Sequence, residues 1–177
     1  MSEFKVASRY AKSLIDLSRE NNALEEVKRD MEQFIAVLRK NKELQAVLKN
    51  PIIKQDKKRN ILSSLFGSII HPSIAAFFNI MVRKGRAGIL YATAQEFIRE
   101  YNEVKNIVKA RVTSAEPLSP ENEKAVAALV RQYTGGEVLI ENTVKPDLIG
   151  GFILTVGDRQ VDASIAGRLQ KLERALN

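Results

Sequence analysis

The chain has 177 residues, 45% of them apolar, and a formal net charge of +7. That length allows one domain or two small ones with real cores. The absence of cysteine excludes disulfides, thiolate chemistry and cysteine-ligated zinc, and a lone histidine, His71, with no tryptophan, narrows the catalytic choices further.

The opening Met1-Ser2-Glu3-Phe4-Lys5 carries no apolar signal region. No run approaches the ~18 apolar residues that a membrane span needs, so a soluble, cytoplasmic protein is expected. From Val6 to Leu17 the positions Ala7, Tyr10, Ala11, Leu14 and Leu17 repeat at three and four, the mark of an amphipathic helix. Asn21-Asn22 breaks it. Leu24, Val27, Met31, Phe34 and Leu38 form the seam of a second helix. Leu44, Val47 and Leu48 predict a short third helix, stopped by Asn50-Pro51 because the residue before proline disfavours helical φ/ψ. Ile61, Leu62, Leu65 and Phe66 line a fourth, whose leading turns carry Lys54, Lys57, Lys58 and Arg59 and whose C-cap is Gly67. His71-Pro72-Ser73 opens a fifth, with wide apolar coverage from Ile74, Phe77, Phe78, Ile80, Met81 and Val82, closed by Arg83-Lys84-Gly85-Arg86. A sixth and longer helix runs from about Ile89 through Ala94, Phe97 and Tyr101 to Val104. Six helices with short connections predict a bundle.

Three features of this half invite a functional reading. The run from Lys54 to Arg59 suits phosphates, but it lacks aromatic interleaving and a glycine-rich cradle, so a solvated helix start is preferred. His71 stands without a second histidine or a carboxylate cluster, which favours a structural role before Pro72 over a ligand role. In the fifth helix Ile74, Phe77, Phe78 and Met81 can share the core face, and Ile80 then points elsewhere. Ile80 is stray surface or part of a groove for a partner helix, and periodicity leaves both open.

In the second half Val108, Ala110 and Val112 alternate with Lys109, Arg111 and Thr113 as a strand with one solvated face. Ser119-Pro120 caps a helix that buries Ala125, Val126, Leu129, Val130 and Tyr133 and ends at Gly135-Gly136. Val138-Leu139-Ile140 is a second strand. Ile149, Phe152, Leu154 and Val156 supply a third, Gly157-Asp158 turns the chain into a short return strand, and Asp162 or Ser164 caps a last helix. That helix places Ile165, Leu169, Leu172 and Leu176 on one stripe. The fold expected is mainly α, a six-helix bundle over residues 1–105 followed by a small α+β domain over 106–177 of order β-α-β-β-α, with helices packed on the sheet. Charge changes at the same place: residues 1–105 hold 19 Lys+Arg against 12 Asp+Glu, and residues 106–177 hold 9 against 9.

Chemical templates fail one by one. Gly150-Gly151 lacks the GKS or GKT of a phosphate loop, and with Gly157 it does not form the dinucleotide fingerprint. Asp158 and Asp162 find no third ligand, and turn and cap roles account for both. No catalytic residue, cofactor or metal is expected, and an enzyme is the disfavoured class.

Two segments resemble the delta subunit of bacterial and chloroplast F-type ATP synthases, the family of the mitochondrial oligomycin-sensitivity-conferring protein. Val6-Ala7-Ser8-Arg9-Tyr10-Ala11-Lys12-Ser13-Leu14 is similar to the family's opening A-x-x-Y-A-x-A-L helix. The segment Leu148-Ile149-Gly150-Gly151 through Gly157-Asp158 and Asp162-Ala163-Ser164 is similar to its closing signature. Lys84-Gly85-Arg86 and Ala115-x-Pro117-Leu118-Ser119 fit as well, whereas Gln160 replaces an apolar residue and Ala163 a common glycine.

The resemblance implies a peripheral-stalk, or stator, subunit at the cytoplasmic face of the bacterial plasma membrane, joining the catalytic head to the membrane-anchored b subunits. It implies that the helical domain receives the N-terminal helix of an alpha subunit between its first and fifth helices, and that the C-terminal domain meets the b subunits. Tyr10 and Leu14 with Phe77, Ile80 and Met81 would supply the trough and Lys84 its rim, with Tyr10 and Ile80 the leading candidates because the others are also needed by the core. Gly150, Gly151, Gly157, Asp158, Asp162 and Ser164 would be structural. The alternative is a nucleic-acid-binding protein using the basic helical half, which predicts steep salt dependence.

Overall fold

The computed structural model describes residues 3–176, with side chains as far as Arg174. Leu176, placed by spacing on the last apolar stripe, therefore lies outside the described side chains. The described residues are mostly helical, with eight α-helices and one four-stranded mixed sheet. They divide into two compact units, Met1–Tyr101 and Asn102–Asn177.

The first unit holds α1 (Glu3–Glu20), α2 (Leu24–Lys40), α3 (Lys42–Lys49), α4 (Gln55–Phe66), α5 (Pro72–Arg83), a 3₁₀ turn over Ala87–Ile89, and α6 (Leu90–Val104), whose last turn passes the division. Most of the residues each helix repeats at helical spacing are buried, Leu17 and Leu65 being exposed members. Phe34 of α2 is fully buried, edge-on to Phe66 of α4 at 5.2 Å and tilted against Phe78 of α5 at 4.5 Å. Such ring pairs contribute roughly 0.5–1.5 kcal/mol beyond their area.

Polar clips fix the helices around this core. Lys58 Nζ donates to Leu48 O at 2.7 Å, reaching inward to the C-terminal end of α3, and burial pushes its ammonium below the ordinary lysine value. Tyr101 Oη of α6 lies 2.6 Å from Glu25 Oε2 of α2. His71 caps α5, its Nδ1 accepting from the Ser73 N–H at 3.2 Å, while its own N–H donates to Asp30 Oδ2 of α2 at 2.6 Å. The lone histidine is thus a helix cap. The end of α5 is a Schellman turn: Arg86 N–H bonds Met81 O, Gly85 N–H bonds Val82 O, and Gly85 takes φ +70°. Gly67, expected to end α4 in the same way, caps it with ordinary right-handed backbone at φ −58°.

The second unit contains β1 (Ile107–Ser114), α7 (Pro120–Thr134), β2 (Glu137–Val144), a 3₁₀ turn over Pro146–Leu148, β3 (Phe152–Val156), β4 (Arg159–Asp162) and α8 (Ile165–Leu176). The sheet order is β2-β1-β3-β4, with β1 and β2 parallel across the α7 crossover and the other pairs antiparallel. Ala110, Val112 and Leu154 meet Val126 and Val130 of α7 to make the core.

Two expectations need correction. The return strand after Gly157-Asp158 is a full member of the sheet, so the order is β-α-β-β-β-α rather than β-α-β-β-α. Gly157-Asp158 signals this return strand, but its four exposed residues are too few and too polar for alternation to count it as a separate member of the sheet. The second concerns packing. Only α7 covers the sheet's apolar face, whereas Ile165, Leu169 and Leu172 of α8 are about half exposed. Ile165 lies against the turn at Gly150, where a Cβ would meet its side chain at 2.7 Å, and the rest of the stripe stays open.

Asp30 offers a direct test of the clip between α2 and α5. Asp30→Ala leaves the part-buried His71 N–H without its acceptor, and the expected cost is about 1–2 kcal/mol in urea unfolding followed by far-UV circular dichroism. Asp30→Asn keeps an acceptor oxygen and should recover most of it.

Candidate functional site

The first and fifth helices meet at Tyr10 and Phe77, whose rings stand edge to face with centroids 6.2 Å apart. The six residues expected at a groove separate into two layers. Leu14 and Met81 are buried to within 1% and Phe77 is 8% exposed, so these three form the floor and the core beneath it. Tyr10 is half-buried, Lys84 is exposed at the C-cap of α5, and Ile80 is 51% exposed. Ile80 follows Phe77 by three residues and therefore lies on the same side of α5.

Two contributors escape the sequence reading. Leu17, read as core by periodicity, is 40% exposed and lies two turns beyond Tyr10 on the same face of α1. Arg86, read only as a cation past the helix end, folds back so that its guanidinium lies over the Tyr10 ring, 5.3 Å from the centroid, and donates to the Tyr10 hydroxyl. The signal for it was Gly85, which allows the reversal after α5. Tyr10, Leu17 and Ile80 are thus apolar side chains left open on α1 and α5, with Lys84 and Arg86 at the end of α5.

The glycine-rich segment of the second unit is built differently from a ligand loop. Ile149 takes φ +63°, a costly conformation for a β-branched residue, so it belongs to the turn before β3 and not to the strand. Gly151 has φ +74°, and a Cβ there would lie 2.4 Å from Ala163 O. A Cβ on Gly150 would meet the end of the Ile165 side chain at 2.7 Å. The glycines thus let this turn lie against the start of α8. Gly157 and Asp158 are the two-residue turn between β3 and β4, where Val156 pairs with Arg159.

The acid and the serine divide the capping between them. Ser164 Oγ accepts from the Gly167 N–H at 3.0 Å, and Asp162 Oδ1 receives both the Ser164 N–H at 2.9 Å and its hydroxyl at 2.6 Å. The hydroxyl bond from Ser164, then its backbone bond, hold the Asp162 carboxyl below the usual aspartate value, with Lys171 adding to the effect. Each site residue of this segment is occupied by folding. Nearby, Pro117, Leu118, Val126, Leu129, Ile149 and Phe152 line an open cleft of about 580 Å³.

Comparison with known proteins places the architecture first. The chain superposes on a chain of the cryo-EM structure of the Toxoplasma gondii mitochondrial ATP synthase hexamer with a TM-score of 0.71, covering 96% of each at 22% identity, which shows a shared fold. The family model of the ATP synthase delta (OSCP) subunit matches residues 6–176. ATP synthase subunit delta of Christiangramia forsetii is 36% identical over 172 residues, 97% of this chain and 93% of that one. The subunit of the same name from Flavobacterium psychrophilum is 37% identical over 177 residues, 100% and 99% of the two chains.

The chain belongs to the ATP synthase delta (OSCP) subunit family. It is a peripheral-stalk subunit of an F-type ATP synthase, a peripheral part of a membrane-associated complex. No helix among the described residues is long and apolar enough to cross a membrane. Nothing in the comparisons supports the nucleic-acid alternative. Within the basic run itself, Lys58 turns inward to Leu48 O and Arg59 pairs with Asp56 at 3.1 Å.

Two predictions follow from the signature's geometry. Gly151→Ala must both adopt positive φ and displace a backbone carbonyl, and should destabilise the second unit by roughly 3 kcal/mol or more in thermal unfolding. Gly157→Ala meets no atom within 4 Å and should cost only the backbone term of about 1 kcal/mol. The Asp162 cap contributes fully above the ordinary aspartate pKa of about 3.9 and fades as pH falls below it. Amide exchange at Gly167, corrected for intrinsic rate, should therefore speed up as pH falls below about 3.9. Asn122, held by the Ser119 hydroxyl at 3.2 Å, should not follow, and Asp162→Asn should remove the effect.

Proposed function

We propose that the chain is the non-catalytic coupling element of its complex, holding the catalytic head to the b subunits against rotor torque during proton-driven ATP synthesis. Its first unit, read as a six-helix bundle, receives the N-terminal helix of an alpha subunit in the lane between α1 and α5. Its second unit meets the C-terminal ends of the b subunits. The complex is placed at the cytoplasmic face of the bacterial plasma membrane.

The observation that carries the alpha assignment is Ile80. A large aliphatic residue on α5 stands 51% exposed next to the Tyr10–Phe77 contact that joins α5 to α1. An amphipathic helix laid in that lane would cover Ile80, Leu17 and the open part of Tyr10 with its own i, i+3, i+4 and i+7 anchors. Fully covering one such side chain contributes roughly 1.5–3 kcal/mol, and since Ile80 and Leu17 are each about half exposed, covering both adds about that much in all. For the b subunits, the support is the bare apolar stripe of α8 beside an apolar cleft, surface that a partner helix would bury.

Ile80→Asp tests the groove without touching the core, because the side chain makes no contribution to the buried set. An alpha N-terminal peptide should lose at least about a hundredfold in affinity by titration calorimetry, from lost burial and a desolvated charge. The helical circular dichroism should be unchanged. Retained affinity would remove the assignment.

A further inference from the structure

The surplus positive charge of the first unit is gathered at one pole. Lys58 Nζ reaches Leu48 O at 2.7 Å, which sets the start of α4 against the end of α3. A Cβ on Gly85 would lie 3.7 Å from Gln55 Nε2, which sets the end of α5 against that same start. A Cβ on Gly88 would lie 3.4 Å from Lys49 Cα, closing the triangle. The pole so formed presents Lys49, Lys54, Lys57, Arg83, Lys84 and Arg86, all exposed. Asp56, beside these lysines in the first turn of α4, is taken by Arg59 at 3.1 Å. Among the described residues no carboxylate lies within 4 Å of Lys49, Lys54, Lys57, Arg83 or Lys84.

Folding accounts for only part of this cluster. Lys49, Arg83 and Lys84 sit at helix C-termini, where a cation is favourable. Lys54 and Lys57 sit at the N-terminus of α4, where a cation opposes the dipole, and Lys54 makes no side-chain cap. These lysines therefore cost the unit stability where an acid would help it. The pole also runs into the apolar lane, because Arg86 lies over the Tyr10 ring.

We propose that this pole seats the acidic first turn of the helix that occupies the lane. The partner is an amphipathic helix with carboxylates in its N-terminal turn, running antiparallel to α5. Carboxylates in a first turn stabilise the partner's own helix, and in this direction its positive end meets the negative end of α5. Lys54, Lys57 and Lys84 then set the direction and register that an apolar lane alone leaves free. This inference rests on the groove reading above and adds the partner's chemistry and polarity to it.

The test uses the full chain and three synthetic helices of about 20 residues sharing one apolar stripe. The first has acids in its first turn, the second has them in its last turn, and the third has glutamines instead. Titrated by fluorescence anisotropy at low salt, the first should bind roughly tenfold tighter than the other two. That advantage should vanish in K54Q/K57Q/K84Q and at high salt, while the glutamine helix binds wild type and K54Q/K57Q alike. Equal binding of all three, or preference for the last-turn acids, overturns the polarity while leaving the groove in place. Binding of none overturns the groove and this inference together. Tight binding of phosphatidylglycerol vesicles or single-stranded DNA through the same three lysines, with no peptide preference, would also overturn it.

Discussion

Helix α5 has more apolar circumference than one core can bury, and the arrangement of the first unit follows from that constraint. Ile74, Phe77, Phe78, Met81 and Val82 are all within 8% of full burial, drawn in by α1, α2 and α4. With so much of the helix committed inward, Ile80 is left facing out. A lysine there would cost the fold little, because exposed helix positions tolerate it and a cation suits the last turn of a helix. An exposed isoleucine beside a half-buried tyrosine is thus surface that folding does not require, and the proposed partner helix would cover it.

The second unit presents the opposite case. Its glycines, acids and serine look at first like the ingredients of a phosphate or metal site, yet each is consumed by geometry. Gly151 makes room for a carbonyl, Gly157 turns a hairpin, Ser164 caps α8 and Asp162 holds Ser164 in place. What the unit leaves unused is apolar: the stripe of α8 and the cleft beside α7. In both units, then, the surface left over after folding is suited to helices from other chains, as a stalk subunit requires.

Much of this was legible in the sequence, for identifiable reasons. The stripes of α1 to α6 repeat at helical spacing, and proline, glycine and the His71-Pro72-Ser73 start punctuate them clearly. The roles of Gly157 and Ser164 also followed from local chemistry. Four features could not be read locally. Arg86 reaches Tyr10 across 76 positions, a contact visible only once α5 ends in its Schellman turn. Leu17 fits the core repeat yet ends exposed, because a stripe says which residues share a face and not how far the neighbouring helices extend over it. The stripe of α8 predicts burial by the same rule, yet Ile165, Leu169 and Leu172 stay about half exposed. The convergence of Lys54 with Lys84 likewise depends on how α4 and α5 pack.

The central claim is that the lane between α1 and α5 is the seat of an alpha N-terminal helix. Methyl-labelled isoleucines with ring resonances of Tyr10 report on it most directly, because Ile80 has internal controls in Ile52 and Ile69, 87% and 63% exposed elsewhere on the same unit. On titrating an alpha N-terminal peptide into the full chain, the Ile80 methyl and the Tyr10 ring should shift together while Ile52 and Ile69 stay in place. Shifts at Ile52 or Ile69 with Ile80 and Tyr10 unmoved would contradict the account.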